Sequence, residues 1–223
     1  MSISTLKYPK KSHRKEINIP KECPELAEFM GIMAGDGGIS NPWQIAISMN
    51  SVSDAQYAPY ISGLIRKLFG LETTFLERER HTLRLICSSA TLLDFLIAKG
   101  FPNGDKIRNG LDIPPWIGKS KNWERAFVRG LIDTDGCLYI HEHSVKSKAY
   151  HNIGLCFASF SKPLLKSVAR IFNANQIKPH LTKNGTHLYL YKVESVVKYL
   201  RVFGSSNPRI TRKYQEWKGV REA

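Results

Sequence analysis

Residues 26–37 and 125–136 are two copies of one pattern set 99 residues apart, and each closes on an Asp-Gly pair, Asp36-Gly37 and Asp135-Gly136. A repeat of this kind constrains the fold strongly, because both copies must build the same supersecondary unit. The likeness extends over roughly 26–110 and 124–213. Strand-like stretches follow at 44–49 and 153–160, then helical patterns at 57–70 and 162–173. A strand pair comes next, 73–77 with 82–86 and 178–181 with 187–191, before closing helices at 90–99 and 193–203. Asn184-Gly185 between the last two strands is a strong hairpin signal. Each half therefore reads helix, hairpin, helix, hairpin, helix. The expected fold class is α+β, with two pseudo-symmetric αββαββα halves. The expected domains are a basic N-terminal arm (1–24), a first half (25–110), a linker (111–123) broken by Pro114-Pro115, a second half (124–214) and a tail (215–223). The arm holds six Lys/Arg and two acids and is expected to be partly ordered at best.

The two repeated helices are unusual. Residues 29–35 carry no charge, so the first helix should be buried nearly all round. Small residues recur every four positions: Ala27, Gly31 and Gly35 in one, Ala126, Gly130 and Thr134 in the other. Residues four apart share a helix face, and a small-residue stripe lets two backbones approach closely. Glycine in a helix costs up to about 1 kcal/mol against alanine, which close packing would offset. If the stripes meet, so do the helix ends, with Asp36 and Asp135 upon them. Each following glycine suits a chain turning outward. Two carboxylates so close repel unless a counter-charge is present. Mg²⁺ takes carboxylate and carbonyl oxygens and bridges to phosphate, and such a site can support phosphodiester hydrolysis. One Asp-Gly alone is a plain helix terminus; two on matched buried helices are far more specific.

The charge points to a partner. The formal net charge is +14, from 33 Lys+Arg against 19 Asp+Glu, which suits a polyanion. No apolar run approaches the roughly 18 residues of a membrane span, and residues 1–20 have no signal-peptide core, so nucleic acid is the expected partner. Residues 26–110 hold eight basic and eight acidic residues, whereas 123–214 hold 15 against five. Within 136–193 Glu142 is the only acid, against Lys146, Lys148, Lys162, Lys166, Arg170, Lys178, Lys183 and Lys192. These are expected mainly on strands and turns, giving a sheet that is basic on one face. Cys23, Cys87, Cys137 and Cys156 form no Cys-x-x-Cys pair, which fits reduced thiols in an intracellular, soluble protein of cytoplasm or organelle matrix. His141, Glu142 and His143 look like a metal pair, but alternate residues share a face in any surface hairpin. Trp116 and Trp123 read as linker and core anchors.

Residues 29–37 and 128–136 resemble the two signature motifs of the LAGLIDADG homing endonucleases. The second copy is close to consensus; the first has Ala34 where the consensus has its earlier Asp. The resemblance covers about 25–214, and two motifs in one chain are similar to the monomeric members. It implies motif helices at a central interface and strands forming a DNA-binding saddle. It also implies a metal-dependent endonuclease that cuts both strands across the minor groove, leaving short 3′ overhangs. By position, Asp36 and Asp135 would bind Mg²⁺, with Mn²⁺ or Ca²⁺ able to take its place, and the carbonyls of Gly35 and Thr134 would be further ligands. Lys106 fits the basic residue beside the first scissile phosphate; in the second half Arg209 and Lys213 both fit. The family's Gln-Lys-like pair is replaced by Met49-Asn50 and Ser161-Lys162, of which Lys162 is the better match.

Target reading would come from Gln44, Ser48 and Asn50 in the neutral half and from Lys146, Lys148, Lys183 and Lys192 in the basic half. A β-ribbon can reach major-groove edges, while lysines more often hold phosphate. Arg78, Arg80 and Arg84 alternate along a hairpin and would share one face. The expected partner is duplex DNA with a long, non-palindromic site, in the setting of intron homing, and no membrane. The alternative is a non-cleaving relative, either an RNA maturase that binds intron RNA or a DNA-binding regulator.

Overall fold

The computed structural model describes residues 15–145 and 148–222. The first half runs α1 (Pro24–Ala34), β1 (Gly37–Asn41), β2 (Gln44–Asn50), α2 (Tyr57–Phe69), β3 (Thr74–Arg78), β4 (Thr82–Ser88) and α3 (Ala90–Ala98). A 3-10 turn at Pro115–Lys119 leads into the second half: α4 (Lys121–Asp135), β5 (Gly136–Val145), β6 (Lys148–Ala158), α5 (Lys162–Ala174), β7 (His180–Leu181), β8 (His187–Leu190) and α6 (Val193–Val202). An added helix, α7 (Pro208–Glu222), closes the chain and runs past residue 214. The two sheets are antiparallel with the same strand order, β1-β2-β4-β3 and β5-β6-β8-β7. The repeat is thus a repeat of topology, and the expected αββαββα halves are the architecture observed.

The centre of the molecule is the contact between α1 and α4. Leu26, Phe29, Ile32 and Met33 of α1 and Phe127, Val128, Leu131 and Ile132 of α4 are all fully buried. Each such side chain contributes roughly 1.5–3 kcal/mol through burial. The backbones meet at the small-residue stripe. A Cβ on Gly31 would lie 2.0 Å from the Phe127 carbonyl oxygen, and one on Gly130 would lie 2.2 Å from that of Glu28. These contacts are related by the 99-residue repeat, so the helix pair carries the internal two-fold relation. A Cβ on Gly35 would likewise fall 2.0 Å from Thr134 Oγ1.

Gly37 and Gly136 open the strands that leave the two helix ends. Neither is among the residues with positive φ. They are glycines because the chain doubles back onto its own helix. A Cβ at Gly37 would be 2.5 Å from Met33 Cα, and one at Gly136 would be 2.5 Å from the Ile132 carbonyl. The requirement is space, not left-handed backbone.

The periphery is tied to this centre. Trp116 Nε1 donates to the Lys99 carbonyl and its ring lies 5.7 Å from Trp123, so both tryptophans anchor the linker as expected. Asn18 donates its amide to Phe69, and Glu22 pairs with Lys99 and Lys119, so residues 18–22 of the arm are held against the first half.

The glycine contacts give a direct test. Gly31→Ala or Gly130→Ala must push the two motif helices apart, and each should destabilise the protein by at least about 3 kcal/mol in a denaturant or thermal melt. Gly63→Ala, on the exposed face of α2 with nothing within 4 Å of its Cβ, should be neutral or stabilising by up to about 1 kcal/mol. Equal effects at the three positions would contradict the packing described.

Candidate active site and nucleic-acid face

Asp36 follows the C-cap of α1, and Asp135 is the last residue of α4. Because the helices pack side by side, the two carboxyls come within hydrogen-bonding reach of each other. The Asp135 carboxyl carbon lies 3.4 Å from where a Cβ on Gly35 would stand. Asp36 is half-buried, while Asp135 opens to solvent with protein packed around its carboxyl. Both carboxyls are held above the usual carboxylate range. For Asp36 burial is the main cause, followed by the charges of Asp135 and Asp54, with Lys106 opposing. For Asp135 burial again leads, opposed by Lys106 and by the bond from Asp36.

Each helix end also carries a cation, and the two are placed alike. Lys106, in the connection after α3, donates from Nζ to the carbonyls of Gly35, Gly37 (2.7 Å) and Met33 (3.4 Å). Arg209, in the first turn of α7, donates to the carbonyls of Gly136 (3.0 Å), Asp133 (3.2 Å) and Thr134 (3.4 Å). Cations at helix C-termini meet unpaired carbonyls and the negative end of the dipole. Burial lowers the proton affinity of the Lys106 amine, and the charges of Asp135 and Asp36 raise it. Of Arg209 and Lys213, it is Arg209 that meets the carbonyls at the end of α4. Lys213 lines a 180 Å³ recess with Arg209, Ser53 and Cys137, but its ammonium pairs with Glu216 one turn along α7. Lys162 is exposed in the first turn of α5, its chain close over Gly185 in the β7–β8 turn.

A buried polar network behind the site escaped the sequence reading. Glu28 is 1 % exposed. It accepts from Tyr60 Oη (2.8 Å) and Ser206 Oγ (2.7 Å) and pairs with Arg129 across the α1–α4 contact. Asp133, fully buried, accepts from Ser205 Oγ (2.5 Å) and the Ser206 amide (2.6 Å), and burial raises it to about 7. Asp54, in the loop after β2, accepts from Asn207 Nδ2 (2.7 Å) and Arg209 Nε (2.9 Å). The available signal was Glu28 and Arg129 themselves. A charge on a buried helix is retained only with a partner.

The strand registers sort the expected DNA-reading residues. In the first sheet Ser48 lies opposite Arg84, Arg84 opposite Leu76, and Arg78 opposite Thr82. Cross-strand partners share a face, so Gln44, Ser48, Asn50, Arg84 and Arg78 lie on the side away from Ile45, Ile47 and Leu85. Arg80 departs from the expected row. It sits in the β3–β4 turn with φ 57°, because the hairpin reverses before the alternation reaches it. Asn50 Oδ1 accepts from the amides of Val52 and Ser53, so this side chain shapes the loop that carries Asp54. Gln44 bonds to Ser88 and to Ser40.

The second sheet corrects the expectation of a lysine-covered face. Lys178 precedes β7, Lys183 lies in the β7–β8 turn and Lys192 caps α6, all three exposed. Lys148 opens β6, and Lys146 lies outside the described residues. The face itself is tyrosine and histidine. His141, His143 and Tyr150 stack in sequence at 5.5 Å, and Tyr189 stacks on Tyr191 at 5.1 Å and on His187 at 6.0 Å. The lysines sit at the ends of elements because a two-residue β7 and a four-residue β8 leave few strand positions to hold them. Glu142 points to the opposite face, where it pairs with His151, so His141, Glu142 and His143 do not converge. Among the described residues no three His, Cys, Asp or Glu side chains group as a metal site.

The donors at the helix ends nevertheless fit one kind of ion. Two adjoining carboxyls with raised proton affinity, beside main-chain carbonyls, form an all-oxygen set of the sort that suits Mg²⁺, Mn²⁺ or Ca²⁺ rather than a thiophilic metal. The carbonyls of Gly35 and Thr134 already accept from Lys106 and Arg209.

Paired helices, matched carboxyls and two identically ordered sheets give the chain one plan used twice. The chain matches the family model described as the LAGLIDADG-like domain over residues 122–214. Its fold is shared with the crystal structure of I-DmoI in complex with DNA and Ca, at 16 % identity and TM-score 0.59, covering 86 % of this chain and 97 % of that one. It is shared with I-LtrWI bound to target DNA, at 13 % identity and TM-score 0.59, covering 89 % and 90 %. Full-length DUF199/WhiA from Thermatoga maritima is also similar, at 14 % identity and TM-score 0.54, covering 89 % of this chain and 63 % of that one. No helix among the described residues is long and apolar enough to cross a membrane.

The carboxyl pair predicts a pH effect. Folding raises the Asp36 pKa above its ordinary 3.8, so the folded state binds more protons than the unfolded one above that value, and stability is lost as pH rises. Asp36→Asn removes the charge. In chelator, this variant should melt higher than the wild type near neutral pH, by on the order of 1 kcal/mol after allowing for solvent screening, with the gap closing toward about pH 4. A gap independent of pH would show that the carboxyls do not interact as described.

Proposed function

We propose that the chain is a site-specific DNA endonuclease of the homing type, hydrolysing phosphodiester bonds in both strands of a long, non-palindromic duplex and leaving short 3′ overhangs. The observation that carries this is the carboxyl pair Asp36–Asp135 at the joined ends of α1 and α4, with Lys106 and Arg209 placed alike on either side. Asp36 and Asp135 hold the divalent cation, Mg²⁺ in the first instance, with the Gly35 and Thr134 carbonyls beside them. When bound, that cation supplies charge neutralisation at the phosphate and a lowered pKa for an attacking water. Lys106 and Arg209 place positive charge beside the two sites and oppose the charge that builds on phosphate oxygens during hydrolysis. Lys162, at the mouth of α5, is a further phosphate contact.

Binding rests on the open sheet faces. Gln44, Ser48, Arg78 and Arg84 read the half-site under the first sheet. The tyrosine and histidine rows read that under the second, with Lys148, Lys183, Lys192 and Lys146 holding phosphate. The target DNA bound by I-LtrWI, and the complex of I-DmoI with DNA and Ca, support this assignment. The unequal halves fit a site without two-fold symmetry.

The test is cleavage of a plasmid library of randomised duplexes in Mg²⁺, with the cut ends sequenced to recover the site. The wild type should yield double-strand breaks. Asp36→Asn and Asp135→Asn should each lower cleavage by about 10²-fold or more while mobility-shift binding persists. Unimpaired cleavage by both variants would remove these residues from the mechanism. Binding with no cutting by the wild type would favour the non-cleaving reading.

A further inference from the structure

Asp54 and Ser161 both lie just before the second helix of their half, and each makes a tie outside that half. The carbonyl of each accepts the amide four residues on, Ala58 for Asp54 and Leu165 for Ser161. Ser161 Oγ donates to the Leu111 carbonyl, and the Leu111 amide donates to Lys106, closing the loop that carries the first half's cation. Asp54, from the first half, accepts from Asn207 and from Arg209, the cation of the second half. The two ties differ in kind. One is neutral and acts on main chain; the other is a charged pair in which the Asp54 side chain is 13 % exposed and that of Arg209 is 24 % exposed.

We propose that Asp54 is a positioning residue for the cleavage of one DNA strand only: it fixes the Arg209 guanidinium over the end of α4, and so governs the site formed in the second half. This rests on the endonuclease reading above. The guanidinium is a rigid fork. With Nε on Asp54, its two terminal nitrogens face the carbonyls of Asp133, Thr134 and Gly136. Loosening Nε frees the fork to turn away from those carbonyls and from a phosphate beside Asp135. Lys106 makes no bond to Asp54, so the first half keeps its cation. Asp54 itself is not placed to touch substrate, since its Oδ1 is taken by Asn207 and Arg209 and its Oδ2 by Ser53.

The experiment uses two substrates carrying the site recovered by selection: a supercoiled plasmid, on which nicked circles are read, and a linear duplex with each strand end-labelled separately. The wild type cuts both strands. Asp54→Asn should slow one strand by about tenfold, leave the other within about threefold, and accumulate nicked circles. Asp54→Glu should restore part of the balance. Arg209→Lys keeps the charge but not the fork, so it should show the same bias. In that background Asp54→Asn should add nothing. Arg209→Lys also serves if Asp54→Asn melts below the assay temperature. Equal slowing of both strands, or an unchanged ratio in Arg209→Lys, overturns the role. A wild type that cuts neither strand overturns the endonuclease reading and this role with it. A cutting wild type with unbiased variants overturns the role alone.

Discussion

The backbone contact between α1 and α4 is the constraint on which the rest of the molecule depends. Gly31 faces the Phe127 carbonyl and Gly130 faces that of Glu28, with no space for a methyl group at either. That closeness sets the distance between the helix ends, which brings Asp36 to Asp135. It also sets where β1 and β5 begin, because each strand starts at the residue after its aspartate. Sheet placement and site geometry are two results of one packing decision, and glycine is the only residue type that permits it.

The contact is two-fold in its backbone and one-sided in its polar chemistry. Glu28 of α1 corresponds in the repeat to Phe127 of α4, Arg129 to Met30, and Asp133 to Ala34. All three charged members therefore lie on one side of the pseudo-axis, where they gather Tyr60, Ser205, Ser206 and Asn207. A buried acid left without such partners would cost several kcal/mol, so the segment 203–207 is held to a single path. That path delivers Arg209 to the end of α4. Two sites built from one plan thus receive their cations by different routes, Lys106 from a loop and Arg209 from a helix.

Much of this was legible in the sequence, for physical reasons that differ by element. The 99-residue repeat and the four-residue spacing of small side chains reported the helix pair, because backbone proximity leaves a mark at every turn. Helices α2 and α5 were legible from their apolar faces, and the β7–β8 hairpin from Asn184-Gly185. The lysines of the second half lie in part where expected, Lys183 in a turn and Lys148 on β6, but the open face between them is lined by tyrosine and histidine, whose stacking leaves no mark in the charge pattern. Arg80 failed for another reason: alternation predicts a shared face only while the strand lasts. The Asp54–Arg209 pair had no local signal at all. Its members are 155 positions apart and belong to different halves, and neither half's pattern refers to the other.

The exchanged ties at Asp54 and Ser161 bear on how such a chain could be taken apart. A half excised at the linker would lose more than its helix partner, because the residue that steadies its cation travels with the other fragment. A homodimer made from the second half would lack the Asp54 carboxylate that Arg209 now finds. One made from the first would lack the Ser161 hydroxyl that now ties the Leu111 carbonyl. The two halves are no longer interchangeable modules. Each leans on its neighbour, so a graft that moves one half into another scaffold must carry the loop it is tied to across with it.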